Sequence, residues 1–131
     1  MNVHTKTQKF NCSPEVLIDL LGKEENLAKW ATIFCQEVKK QGEDYKITTP
    51  MGEMYFKINK DLETGVIDMK AGPTKDQMWG GYHRVVSDNM GGSIFIFTHL
   101  QAPDESDESF HAGCQGLDAE FEVIKNLVEK V

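Results

Sequence analysis

FHAGCQGLDAEFEVIKNLVEKV, residues 110–131, is the stretch whose periodicity decides the fold. Phe110, Cys114, Leu117, Phe121, Ile124, Val128 and Val131 are spaced alternately four and three apart, which puts them on one continuous apolar stripe of a helix. Asp118, Glu122, Lys125 and Glu129 occupy the opposite face. Asp104, Glu105, Asp107 and Glu108 come just before the stripe, and we read them as a solvated first turn complementing the helix dipole. Gly113 and Gly116 each cost about 0.5–1 kcal/mol relative to alanine inside a helix. Either Ala112, Gly113 and Gly116 leave space near a cavity mouth or let the helix bend, or the helix starts after Gly116.

A helix with one apolar stripe needs a surface to cover, and the preceding sequence supplies strands. From Ile33 to Leu100, short alternating runs are separated by turn residues. The runs predict strands at Ile33–Lys40, Tyr45–Thr49, Glu53–Asn59, Val66–Ala71, Met78–Ser87 and Ser93–Gln101. The glycine pairs, with Gly72-Pro73 and Asp61 to Gly65, are read as turn residues. Such short connections favour antiparallel neighbours. Upstream, the β-branched Val3, Thr5 and Thr7 alternate with polar residues and predict a further strand that stops at Asn11. Ser13-Pro14-Glu15 then offers a hydroxyl cap, a first-turn proline and an acid at the positive end of a helix dipole. Val16, Leu17, Leu20 and Leu21 share one side of that helix, Gly22 ends it, and Lys23 to Trp30 reads as a second short helix.

This order excludes a doubly wound sheet, which alternates strands with crossover helices. The expected class is α+β: a curved seven-stranded antiparallel sheet wrapped around the long C-terminal helix, with two short helices between strands 1 and 2. The chain of 131 residues fits one domain, and its 40% hydrophobic residues suffice for a core. A net charge of −7 would repel a nucleic-acid backbone, so no nucleic acid partner is expected. No run approaches the ~20 apolar residues of a membrane span. Cys12, Cys35 and Cys114 lie far apart without a CxxC pair, which suits reduced thiols in a cytoplasmic setting.

The segment Phe10-Asn11-Cys12-Ser13-Pro14-Glu15-Val16, Trp30, Arg84-Val85-Val86 ahead of Gly91-Gly92-Ser93, and the Ile94 to Leu100 strand feeding the last helix occur in a characteristic order. In that order the chain resembles the START-like superfamily, also called SRPBCC or helix-grip, and within it the polyketide cyclase/dehydrase-like group. The resemblance spans nearly the whole chain. It implies a sheet gripping the last helix, with a cavity between them that often takes lipids, sterols, polyketides or other apolar molecules. A fold this versatile does not settle function.

If the Met78–Gln101 hairpin turns about Met90, position 83 lies opposite 97 and 81 opposite 99. His83 and His99 then share a face, diagonally within side-chain reach. Trp79, Phe95 and Phe97 fall on that face, and Tyr82 and Arg84 on the other; a one-residue slip would exchange the two sets. Two imidazoles could orient a ligand or shuttle a proton, or be ordinary polar sheet residues; without a third ligand no metal is expected. Met54, Phe56 and Ile58, with Ile67, Met69 and Ala71, are assigned to the inner face as core and cavity wall.

The chain has no HExxH, phosphate-binding GxxxxGK[ST], GxSxG elbow or strand-following GxGxxG, so no cofactor is expected. Cys35, in a strand, and Cys114, on the helix stripe, are expected to be inert. The first functional expectation is a binding protein for a small, largely apolar molecule, lined by Phe56, Ile58, Met69, Trp79 and Phe97, with His83 and His99 as polar handle. The second is a cyclase, dehydratase or hydrolase using a histidine with Tyr or Arg in the same cavity. A partner-binding role akin to the heat-shock ATPase activators is third, and their characteristic motifs are not visible in the chain.

Overall fold

In the computed structural model, which describes residues 1–129, the Ser13 hydroxyl accepts from the Val16 amide and Pro14 opens the helix that follows. Strand β1 (Val3–Phe10) leads into this helix, α1 (Pro14–Leu21). The second helical segment is a single 3-10 turn (Glu24–Asn26) running into a short α2 (Leu27–Trp30). Six strands follow: β2 (Glu37–Gln41), β3 (Asp44–Thr49), β4 (Gly52–Asp61), β5 (Val66–Thr74), β6 (Gln77–Ser87) and β7 (Ser93–Leu100), then α3 (Asp107–Val128). All seven strands form one antiparallel sheet ordered β1-β7-β6-β5-β4-β3-β2. Consecutive strands from β2 to β7 are neighbours, and β1 adds beside β7, so the sheet's two edges meet the chain's first and second strands.

The inner face carries Phe56, Ile58, Ile67, Met69, Val85, Phe95 and Phe97, all buried, with Met54 and Ala71 half-buried against them. Against it, α3 presents Phe110, Leu117, Phe121 and Ile124, with Cys114 and Val128 half-buried. The stripe read from the sequence is therefore the sealing face; Val131 lies outside the described residues. Apolar burial at about 25 cal/mol per Å² makes this contact the main favourable term holding helix to sheet.

Several local expectations are corrected. Residues 33–36 are not strand: the buried Glu120 carboxylate of α3 accepts from the Ile33 and Phe34 amides at 3.1 and 3.0 Å. Those amides have their partner outside the sheet, so pairing starts only at Glu37. Cys35 consequently sits in this loop, buried, its amide donating to the Ala31 carbonyl. Gly72-Pro73 is not a turn; β5 runs through it with a register shift between Ala71 and Thr74. A proline is tolerated at such an irregularity because no ladder donor is required. The helix does not wait until after Gly116. It starts at Asp107, capped by Ser106, whose hydroxyl accepts from the Ser109 amide. Gly116 makes room for Ile33: a methyl there would meet Ile33 Cγ2 at 3.4 Å, whereas at Gly113 it would meet nothing within 4 Å. Among the described residues no helix is long and apolar enough to cross a membrane.

Candidate functional site

Gly80 and Gly81 sit in the middle of β6, not in a turn, and they shape the candidate site. A Cβ at Gly81 would come within 1.8 Å of the Thr98 carbonyl oxygen, and one at Gly80 within 2.0 Å of the Met69 carbonyl oxygen. Only glycine fits backbones so close together. On the inner face the cross-strand row runs Ile58, Met69, Gly81, His99, His4. The missing side chain at Gly81 leaves a gap in that row, between Met69 and His99.

An open groove of about 780 Å³ lies at this gap. Met69, Trp79, Glu105 and Asp107 line it on one side, and Asp68, Lys70, Tyr82 and Leu100, whose strand positions point to the outer face, line it on the other. Gly80 and Gly81 themselves are part of the groove lining. Trp79, paired with Ala71, is 36% exposed, a large apolar surface left in water at the groove wall.

The hairpin pairs His83 with Phe97 and Gly81 with His99, so both histidines share the inner face. His83 is 4% exposed and stacks on Phe97, ring centroids 3.9 Å apart at 15°. Its Nδ1 has no hydrogen-bond partner among the described residues. Burial foremost, and the neighbouring His99 next, push its pKa down to about 3. His99 lies parallel to the Phe110 ring at 5.2 Å; burial lowers its pKa as well, against the opposing pull of Glu105. Both imidazoles are therefore neutral at physiological pH, each with one donor and one acceptor nitrogen.

Of the residues singled out from the sequence, Met69 and Trp79 line the groove; Phe56, Ile58 and Phe97 are buried in the core behind it. His83 and His99 lie next to the Gly81 gap without forming part of the groove lining. Tyr82 is 65% exposed on the outer face. Glu105 and Asp107, expected as solvated dipole partners, edge the groove, Glu105 held by local hydrogen bonds and Asp107 also by the distant Asn2. Asp107 accepts from the side-chain amides of Gln101 at 2.9 Å and Asn2 at 3.0 Å, and Glu105 from the Ala102 amide at 3.2 Å. The glycine pair inside a strand pattern was a usable sequence signal; the two carboxylates carried none.

A second cleft of about 330 Å³ between β1 and α3 is lined by His4, His111, Cys114, Gln115 and Asp118. Asp118 there is engaged by Lys6 at 2.8 Å, and no group of three His, Cys, Asp or Glu among the described residues is arranged to hold a metal ion. The three cysteines are free, and burial raises the pKa of each thiol, which keeps them protonated and poorly nucleophilic.

No family model matches this chain, and no curated protein does. Solved structures do match over nearly its full length. XoxI from Bacillus cereus superposes with a TM-score of 0.76 at 14% identity, covering 99% of this chain and 97% of the other. The Zhui aromatase/cyclase from a Streptomyces species gives 0.73 at 13% identity, covering 98% and 93%. The Aha1 dimer from Colwellia psychrerythraea gives 0.70 at 16%, covering 98% and 97%. Seven antiparallel strands closed by one long C-terminal helix, superposable on these structures end to end, give this chain the START-like, polyketide cyclase-like helix-grip fold.

Proposed function

We propose that this chain, acting as one domain, binds a small, largely apolar molecule in the groove at Gly80–Gly81. Trp79 and Met69 form the apolar contact, the buried Phe56, Ile58 and Phe97 back it, and His83 and His99 serve as the polar handle. The observation that carries the reading is the gap at Gly81 flanked by a part-exposed tryptophan, an apolar surface beside a pair of neutral imidazoles. Such sites take their affinity from apolar burial and their orientation from a few polar groups. The helix-grip fold is compatible with such a role, and the three free cysteines suit a reducing, cytoplasmic setting.

The test is native mass spectrometry of the purified chain for a co-purifying small molecule, followed by titration of that molecule with tryptophan emission as readout. Trp30 is buried, so a change that disappears in Trp79→Phe reports the groove. Loss of both imidazoles in the His83→Ala/His99→Ala variant should weaken binding by about 1–3 kcal/mol per lost buried hydrogen bond. Retained affinity in both variants would refute the assignment.

A second reading, an enzyme of the cyclase, dehydratase or hydrolase kind, draws support from the likeness to an aromatase/cyclase and from the two neutral imidazoles, each able to accept a proton. Turnover of the identified molecule, abolished in His99→Ala with binding retained, would favour it over simple binding.

A further inference from the structure

We propose that the groove discriminates by charge: it takes uncharged molecules whose polar group is a hydroxyl or carbonyl, and rejects carboxylates, sulfonates and phosphates. This rests on the reading that the groove binds a small apolar molecule, and it specifies the class of that molecule.

Three observations carry it. The charged side chains on the helix side of the groove are the carboxylates of Glu105 and Asp107. Their hydrogen-bond partners are neutral: the Gln101 and Asn2 amides for Asp107, and the Ala102 amide and Ser109 hydroxyl for Glu105. Neither carboxylate is in an ion pair among the described residues, so neither charge is cancelled locally. On the outer side Asp68 and Lys70 line the groove without an ion pair between them, so three carboxylates face one lysine and the charged side chains sum to an excess of negative charge. An anion entering a partly desolvated groove of that sign meets three carboxylates for its one lysine, Lys70, and finds no arginine to fork onto.

The inner-face polar groups beside Gly81, behind the groove lining, have the complementary character. His99 follows Gly81 in the inner-face row, and His83 is the next inner-face residue along β6 from Gly81. His83 carries an imidazole nitrogen that is buried and without a partner. A neutral imidazole exchanges a hydrogen bond with a hydroxyl or a carbonyl, and it supplies no cation for a carboxylate. Burial keeps both rings in that neutral state.

Two probes with the same rings separate the possibilities: N-phenylnaphthylamine, which is uncharged, and anilinonaphthalene sulfonate, which adds one negative charge. Each is titrated into the full chain and into Trp79→Ala, at low and at physiological salt, with probe emission as readout. The uncharged probe should bind and lose at least fivefold in affinity in Trp79→Ala; the sulfonate should bind at least tenfold more weakly. In Glu105→Gln/Asp107→Asn the gap between the probes should shrink severalfold, as it should at higher salt; Glu105→Gln alone serves if the double variant is unstable. A gap unchanged in these variants, or Trp79-dependent sulfonate binding as tight as that of the neutral probe, overturns charge selection while leaving groove binding intact. No Trp79-dependent binding of either probe overturns the groove reading itself, and this inference with it.

Discussion

Replacing Phe121 with alanine removes the ring on which the helix–sheet contact is centred. Phe121 is fully buried, with Phe95 stacked on it at 5.3 Å between centroids, Phe97 edge-on at 5.9 Å and Phe10 tilted at 6.4 Å. Lys6 Nζ lies 5.1 Å from its ring centroid. Area burial alone is worth about 1.5–3 kcal/mol for such a side chain, and each well-oriented ring pair adds about 0.5–1.5 kcal/mol. The surrounding rings stand on β1 and β7, whose ladder holds them in register, so the space left behind cannot collapse. The loss should therefore fall at the upper end of the roughly 3–5 kcal/mol range for a core Phe→Ala. At a urea m-value near 2 kcal/mol per M, about 4 kcal/mol lowers the unfolding midpoint by roughly 2 M. Phe121→Leu keeps most of the bulk and should cost about 1–2 kcal/mol, which remains measurable if the alanine variant fails to fold. A Phe121→Ala loss below about 1.5 kcal/mol with an unchanged m-value would refute the claim that this ring seals the core.

Glu120→Ala strands the Ile33 and Phe34 amides and should cost about 1–3 kcal/mol, while Glu120→Gln, which keeps an acceptor, should cost less. Burial raises the Glu120 pKa above its ordinary 4.5, so the folded state holds this proton more tightly than the unfolded chain. Stability should then fall as pH rises from 4.5 through the raised folded value, and a Glu120→Gln curve with the same slope would contradict this. His83 has the opposite sign. Held at about 3 against an ordinary 6.5, it binds its proton more readily when unfolded, so acid lowers stability between those values, by an amount on the order of 5 kcal/mol over the full window. His83→Leu should flatten that limb in urea melts at stepped pH, and an equally steep limb would sink the assignment. Gly113→Ala should stabilise the protein by about 0.5–1 kcal/mol, since the added methyl meets open space and the helix gains. Gly81→Ala, whose methyl collides with the Thr98 carbonyl oxygen, should cost at least about 1–3 kcal/mol; thermal melts giving the same sign for both would refute the distinction.

The features legible in the sequence were those that one local period determines. The spacing of Phe110 through Val128 identifies the buried face of α3 because helical geometry returns every third or fourth residue to the same side. Alternation likewise placed Phe56, Ile58, Ile67 and Met69 inward. The short turn near Met90 set the register that puts His83 and His99 on one face. Tertiary structure alone decided the rest, where a partner far along the chain competes for the same groups. The stretch from Ile33 alternates like a strand, but Glu120, 87 residues away from Ile33, takes the Ile33 and Phe34 amides that pairing would need. Glu105 and Asp107 look like a solvated helix start until Gln101 and Asn2 hold Asp107 at the edge of a groove. Two mid-strand glycines line that groove where neighbouring backbones approach too closely for a methyl, and the closeness of two backbones is a property of the folded sheet that no local period encodes.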